Sequence, residues 1–279
     1  MRKAAVIGVF DGVHLGHQYL LQQLAAEARK RGLEPVALTF DSHPLELVNP
    51  EAAPPLICSL EERLKRLREA GVTPLTLHFT PEMRRMSARE FCEYLQSCGV
   101  DLLLMGFNNR IGSDRRCGVD LTDEPIEILV ASELPGLGVS SSVVRKAVTA
   151  GDMELAAKLL GRPFAIEGEV VKGRQIGRTI GFPTANIRPD SPLQLLPSLG
   201  VYAGRAGSHR AVINIGRRPT LNNGSDISIE AHVLDFHGNL YGRHLRLEFL
   251  RRLRREKEFS GLDELKTQIQ KDIDNARGE

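Results

Sequence analysis

The stretch Gly8-Val9-Phe10-Asp11-Gly12-Val13-His14-Leu15-Gly16-His17 constrains this chain more than any other segment. It follows the apolar run Ala4-Ala5-Val6-Ile7, which predicts a buried strand. It leads into Gln18 to Arg31, where Leu20, Leu21, Leu24, Ala25 and Ala28 recur at helical spacing. A strand-to-helix junction leaves backbone N–H groups unpaired at the positive end of a helix dipole, which is where nucleotide phosphates bind. Gly12 and Gly16 keep side chains out of the way.

His14 and His17 are three apart, so a helix that has begun by His14 projects both imidazoles from one face toward the same phosphate. A zinc site is the rival, but the helical metalloprotease pattern needs His-Glu-x-x-His with a spacing of four. Here the spacing differs and no Glu intervenes. A bare His-x-x-His is more often a capped helix with one half-buried histidine. The glycines, Asp11 and the strand-helix context favour phosphate binding here.

The chain has 279 residues, enough for about two domains. Its 42% apolar and 26% charged content is that of a globular protein, and a net charge of +2 is too mild to imply a nucleic-acid partner. Arg251-Arg252-Leu253-Arg254-Arg255 is the one basic run, read as a solvated helix face. The four cysteines, Cys58, Cys92, Cys98 and Cys117, form no Cys-x-x-Cys pair. With no room for a leader ahead of the first strand, a reducing, cytoplasmic setting is expected. No apolar run approaches the roughly eighteen residues of a membrane span.

Leu33 to Phe40, Thr73 to Phe79 and Val100 to Met105 predict further strands. Between them Leu60 to Ala70 is an amphipathic helix ended by Gly71, and Ser87 to Ser97 a helix with Ser87 as N-cap and Glu90 three residues on. This alternation predicts a parallel sheet with helices on both faces. From Gly161 the pattern changes to short β-runs, Ile166 to Val171, Val201 to Ala206, His209 to Ile215, Ile227 to Leu234 and His244 to Phe249. Their spacing predicts an antiparallel barrel, closed by an amphipathic helix over Leu262 to Ala276. The expected domains are therefore residues 1–160 and 161–279.

Gly-x-Phe-Asp-Gly-x-His-x-Gly-His resembles the ATP-binding signature of the nucleotidylyltransferase module in bacterial bifunctional riboflavin kinase/FAD synthetases. Gly177-Arg178-Thr179-Ile180-Gly181-Phe182-Pro183-Thr184-Ala185-Asn186 resembles that family's riboflavin-kinase signature, and the two occur in the family's order. The resemblance implies a Rossmann-like α/β domain that adenylylates FMN to FAD, followed by a β-barrel that phosphorylates riboflavin to FMN. ATP is the co-substrate of both steps, with Mg²⁺ as cofactor.

Residue by residue, the resemblance puts ATP on Gly8, Phe10, Asp11, Gly12 and Gly16, with His14 and His17 as the donors to its phosphates. Val139-Ser140-Ser141-Ser142-Val143-Val144-Arg145 is similar to the element that closes the nucleotide site, so Ser141 and Arg145 join the ATP contacts. Gly106-Phe107-Asn108-Asn109-Arg110-Ile111-Gly112 matches a family loop in which Asn108 keeps its polar role, but Asn109 and Ile111 stand where the family has aromatic residues. Asp41-Ser42-His43-Pro44 is similar to a family Pro-His-Pro turn without its first proline, leaving His43 either a ligand or a turn cap. In the second domain Gly173, Gly177 and Arg178 belong to a basic loop, Lys172 to Arg178, suited to covering ATP phosphates.

Thr184 and Asn186 lie two apart on an extended segment, so both face one side. The family uses them to hold the metal. Glu230 aligns with the catalytic Glu, the general base. Asn214-Ile215-Gly216-Arg217-Arg218-Pro219-Thr220 and Arg254-Arg255-Glu256-Lys257-Glu258-Phe259 match segments lining the flavin pocket, with Asn214, Arg254, Glu256 and Phe259 as contacts. Aromatic residues are only 5% and Trp is absent, so the ring contact for a flavin falls to Phe259 or Tyr202. Two other readings stand beside this one. One is a kinase whose first domain is inactive or redirected. The other is a flavin-binding regulatory protein that touches RNA through Arg251 to Arg255. The sequence leaves oligomeric state open.

Overall fold

The computed structural model describes residues 2–173, 175–218 and 226–278. Arg174, Pro219 and Thr220, singled out above, lie outside the described residues. The chain divides into two compact units, Met1–Pro54 with Leu60–Ser140, and Pro55–Ser59 with Ser141–Glu279.

The first unit contains, in order, β1 (Lys3–Ile7), α1 (Leu15–Arg31), β2 (Glu34–Phe40), α2 (Pro44–Val48), α3 (Leu60–Glu69), β3 (Thr73–Leu77), α4 (Pro81–Arg85), α5 (Ala88–Ser97), β4 (Val100–Met105), the short hairpin β5 (Arg110–Ile111) and β6 (Arg116–Cys117), and β7 (Glu127–Val130). Strands pair in parallel in the order β3-β2-β1-β4-β7. Alternation along β1 explains the two-sided core. Ala5 and Ile7 pack with Phe91, Cys92 and Leu95 of α5, whereas Ala4 and Val6 pack with Leu21, Leu24 and Ala28 of α1 and Leu67 of α3. Helix ends follow local chemistry. The Ser87 hydroxyl accepts from the Glu90 N–H (3.3 Å) and the Glu90 carboxylate from the Ser87 N–H (2.7 Å), the reciprocal cap that the sequence predicts for α5. Gly32, at φ 65°, ends α1.

The second unit contains α6 (Ser141–Ala150), α7 (Met153–Leu160), β8 (Phe164–Val171), α8 (Ile176–Thr179), β9 (Ala185–Pro189), β10 (Gly200–Ala206), β11 (His209–Arg218), β12 (Asp226–Val233), β13 (His244–Arg254) and α9 (Leu262–Arg277). The strands close an antiparallel barrel in the order β10-β11-β12-β9-β8-β13. Val201, Ala203 and Val212 pack against Ile273 and Ala276 of α9. Tyr202 faces the other way, where it meets Phe249 at 5.5 Å and donates to the Ser198 carbonyl at 2.6 Å. Fully buried, Tyr202 has no surface left for a flavin, which removes it as the ring contact expected from sequence.

The arginine run also differs from expectation. Arg251 to Arg254 extend β13 rather than forming a helix face. Arg251 donates to the Asn275 carbonyl, Arg252 to the Leu199 carbonyl, and Arg254 to the buried Asp272 carboxylate at 2.9 Å. Strand alternation sends neighbouring arginines to opposite faces, each with its own acceptor.

The β-rich pattern starts after residue 160, yet α6 and α7 pack with the barrel, α7 lying on β8 and β13. Met153, Ala156, Leu159 and Leu160 are buried. A fragment of residues 141–279 is therefore expected to melt about 10 °C above one of residues 161–279. Losing the burial made by even two such side chains removes at least about 3 kcal/mol. Equal melting midpoints by circular dichroism would show that α6 and α7 do not support the barrel.

Candidate active sites

In the α/β unit, β1 is flanked by β2 on one side and β4 on the other, so the strand order reverses beside it. Loops leaving the carboxyl ends of strands around such a switch point form the ligand crevice of an open parallel sheet. Gly8 and Val9 after β1, Phe40 ending β2, Phe79 after β3, and Asn108 to Ser113 after β4 line a cavity of about 1260 Å³. The Gly8–His17 turn is tightly wound. Phe10 and Val13 have φ of 51° and 39°, and Gly12 has φ of 79°. Phe10, Asp11 and His14 are buried.

His14 is not the first helical residue but the N-cap of α1, which begins at Leu15 rather than Gln18. Its Nδ1 accepts from the His17 backbone N–H at 3.3 Å, so the proton of the neutral ring sits on Nε2 and His14 is a donor through that nitrogen. The two imidazoles stack at 3.7 Å between centroids, which brings the predicted pair together. Phe10 meets the His17 ring edge-on at 5.2 Å. Gly16 is close-packed, since a Cβ there would stand 3.0 Å from Val139 and 3.3 Å from the His14 ring. His17 is held well below the usual imidazole range, chiefly by burial, then by the neighbouring His14 ring and the Arg63 guanidinium. Its Nδ1 is buried without a hydrogen-bond partner among the described residues.

Arg63 was hidden in the sequence among the charges of an amphipathic helix. It is only 1% exposed. Its Nη1 donates to the carbonyls of Val9 and Phe40, both at 2.9 Å, and to the Thr39 hydroxyl at 3.2 Å. The guanidinium thus ties the ends of β1 and β2 together beneath the cavity and makes no ion pair among the described residues.

Asn109, standing where the related loop carries an aromatic ring, donates to the Ile7 carbonyl at 3.2 Å. Ile111 keeps the apolar role and is buried against the Phe91 cluster. His43 caps α2, its Nδ1 accepting from the Leu45 N–H at 3.2 Å. Ser141 opens α6 and Arg145 donates to the Pro55 carbonyl at 2.8 Å, both within the barrel unit.

In the barrel, pairing register assembles the second site. Glu230 on β12 lies opposite Asn186 of β9 on one side and Asn214 of β11 on the other. Residues directly opposite share a face, so the three side chains form one row. The Thr184 hydroxyl donates to the Glu230 carboxylate at 3.2 Å. The glycines of the preceding loop are there for space. A Cβ on Gly173 would stand 2.3 Å from the buried Asn186 amide, and one on Gly177 would stand 2.3 Å from the Phe182 carbonyl.

Glu256 adjoins this row, its carboxylate accepting from the Arg217 N–H at 3.3 Å beside Gly216. Arg254 is held by Asp272 and stands 5.6 Å above the Phe259 ring. Beside Thr184 opens a cavity of about 730 Å³, lined also by Gln175, Arg178, Pro183, Phe236, His237 and Tyr241. The last three escaped the sequence reading because they sit in a loop with no motif of its own.

Two glycine-bearing loops suited to phosphate, one at the switch point of a parallel sheet and one against a carboxylate-bearing barrel strand, define a two-unit nucleotide-dependent transferase. A family model described as FAD synthetase matches residues 1–130, and one described as riboflavin kinase matches residues 160–278. The bifunctional riboflavin kinase/FMN adenylyltransferase of Escherichia coli K12 is 39% identical, covering 97% of this chain and 90% of that protein. That of Pseudomonas fluorescens is 37% identical over 98% and 91%. A Streptococcus pneumoniae crystal structure described as a macrolide-efflux protein is 30% identical and covers 100% of this chain and 95% of its own, with a TM-score of 0.90. The chain belongs to the bifunctional riboflavin kinase/FMN adenylyltransferase family.

The depressed His17 pKa has a measurable consequence. The unfolded chain takes up a proton as pH falls through the ordinary imidazole value of 6.5, whereas folded His17 resists it. Protons then favour the unfolded state, so the α/β unit should lose stability as pH drops from about 7 to about 5. Urea melts of the full chain are expected to show this slope, and His17→Asn to flatten it. An unchanged slope would show that His17 titrates normally.

Proposed function

We propose that the two units divide two uses of ATP, transfer of a phosphoryl group in the barrel and of an adenylyl group in the α/β unit. As a member of its family the chain is a bifunctional enzyme of flavin cofactor synthesis, phosphorylating riboflavin to FMN and adenylylating FMN to FAD, with ATP as co-substrate. The observation that carries the residue-level reading is Glu230, set between Asn186 and Asn214 and bonded to Thr184.

In the barrel, Glu230 accepts the proton of the terminal ribityl hydroxyl as that oxygen attacks the γ-phosphorus and ADP leaves. The Thr184 hydroxyl orients the carboxylate beforehand. ATP occupies the 730 Å³ cavity beside Thr184, with Gly173, Gly177 and Arg178 along its phosphates. The flavin lies on the Asn214 and Glu256 side, where Phe259 supplies a ring face and Arg254, tied to Asp272, holds that ring in place.

The donor set suits Mg²⁺. Thr184 and Asn186 offer a hydroxyl and an amide oxygen, and Gly173 leaves room for the amide alone. Among the described residues no group of three or more His, Cys, Asp or Glu could hold a metal, which favours an ion that relies on water and phosphate oxygens. When bound, Mg²⁺ neutralises charge on the transferring phosphates.

In the α/β unit, a phosphate oxygen of FMN attacks the α-phosphorus of ATP and pyrophosphate leaves. Alignment and charge stabilisation supply most of the acceleration in such transfers. His14 donates through Nε2, and His17 stays neutral beside it. Gly8, Phe10, Asp11, Gly12 and Gly16 form the nucleotide turn, with Asn108 at the cavity wall. Phe40, Phe79 and Phe91 give the cavity an apolar floor for an isoalloxazine ring, while Arg84, Arg85, Arg110 and Arg115 give it a basic rim for the FMN phosphate.

The reading includes no nucleic acid, because Arg251, Arg252 and Arg254 donate to acceptors within the chain. It places the enzyme in the cytoplasm, supported by four cysteines that form no disulfide among the described residues. No described helix is long and apolar enough to cross a membrane.

Glu230→Gln keeps size and removes the base. FMN formation from riboflavin should fall roughly 10²- to 10⁴-fold, with adenylylation of supplied FMN retained. Wild-type phosphorylation by this variant would exclude Glu230 as the base. His17→Ala should stop FAD formation and spare FMN formation, since a donor in a preorganised site is worth about 3 to 4 kcal/mol. Normal FAD synthesis by the Ala variant would remove His17 from the reaction.

A further inference from the structure

Two residues beyond Glu230 on β12 stands His232, on the same face of the strand by alternation. Its Nδ1 is 2.8 Å from the Pro183 carbonyl oxygen. A carbonyl only accepts, so Nδ1 carries the proton and donates. The ring also meets Phe182 edge-on at 5.9 Å. Phe182 is anchored in turn, because its N–H donates to the Gly177 carbonyl at 2.7 Å and its ring packs on the cluster beneath α9.

The residue after Pro183 is Thr184, whose hydroxyl reaches Glu230. Glu230 and His232 therefore grip consecutive residues of one loop from one strand. Pro183 and Thr184 themselves lie between that anchor and the next strand. Gly181 has φ of 95°, and β9, which would hold Thr184 by ladder bonds, begins only at Ala185.

We propose that His232 is a positioning residue for riboflavin phosphorylation: its hydrogen bond to the Pro183 carbonyl sets the Thr184 hydroxyl against Glu230. His232 needs no contact with substrate for this. A loop free to shift by about 1 Å at Pro183 would misalign the base and the phosphate-side hydroxyl together, a displacement that costs on the order of 10²-fold in rate. The inference rests on the reading of Glu230 as the base, and the experiment below separates the two.

The test compares three variants of the full chain, measuring FMN formation from riboflavin and FAD formation from supplied FMN. His232→Asn places an amide N–H where Nδ1 stands, while His232→Phe keeps a ring against Phe182 and has no donor. His232→Ala removes both. The expected result is a kcat for FMN formation lowered roughly 10- to 100-fold in the Ala and Phe variants and restored to within about threefold of wild type in the Asn variant. KM for riboflavin should move little, and FAD formation should be unchanged.

In a Glu230→Gln background, His232→Ala should lower the residual rate less than about twofold, because the two residues act through one arrangement. An Asn variant no faster than Phe would overturn the proposal, as would wild-type kcat in the Ala variant or fully additive losses in the double variant. If the Ala variant proves unstable, the Asn and Phe pair decides alone. Should Glu230→Gln by itself leave phosphorylation intact, the base assignment falls, whereas the Asn and Phe comparison still reports on Thr184.

Discussion

Side-chain alternation along paired strands is the constraint on which the barrel's chemistry depends. Asn186, Glu230 and Asn214 belong to β9, β12 and β11, far apart in sequence, and they meet only because the ladders bring them opposite one another. A slip of one residue in either ladder would turn the row over and send the carboxylate to the other face. Closure of the barrel guards against that slip, since every strand is held on both sides and none is left as an edge. The Thr184 and His232 contacts are then local consequences of a register set by the whole sheet.

The α/β unit solves a different problem. The carboxyl ends of parallel strands present carbonyl oxygens to the crevice, an unfavourable lining for a polyphosphate. Arg63 takes up two of these carbonyls, from Val9 and Phe40, and leaves a fixed positive charge under the turn. The same charge helps hold the His17 pKa down, so that ring adds no further buried cation. Two buried nitrogens there, His17 Nδ1 and Arg63 Nε, have no hydrogen-bond partner among the described residues.

Local patterns were legible to the extent that they are local. The Ser87 and Glu90 cap, the strand ahead of Gly8 and the short β-runs after Gly161 depend on neighbours a few residues away, and each appears near its expected bounds. Where two structures share one pattern, the sequence misled. Arg251 to Arg255 offered no distinction between a helix face and an extended strand, because charge alone carries no period. Tyr202 was an aromatic residue available for a flavin until burial placed it against Phe249.

By itself the sequence determined the fold classes and the two glycine-bearing turns, since glycine spacing, capping and hydrophobic period act through the chain's own backbone. Tertiary structure alone decided which residues meet. It put Glu230 between two asparagines, gave His14 the tautomer that donates through Nε2, turned a surface-looking Arg63 into a buried tie, and brought His232 to the Pro183 carbonyl. These depend on strand register and on burial, which are properties of the packed sheet that no local window contains.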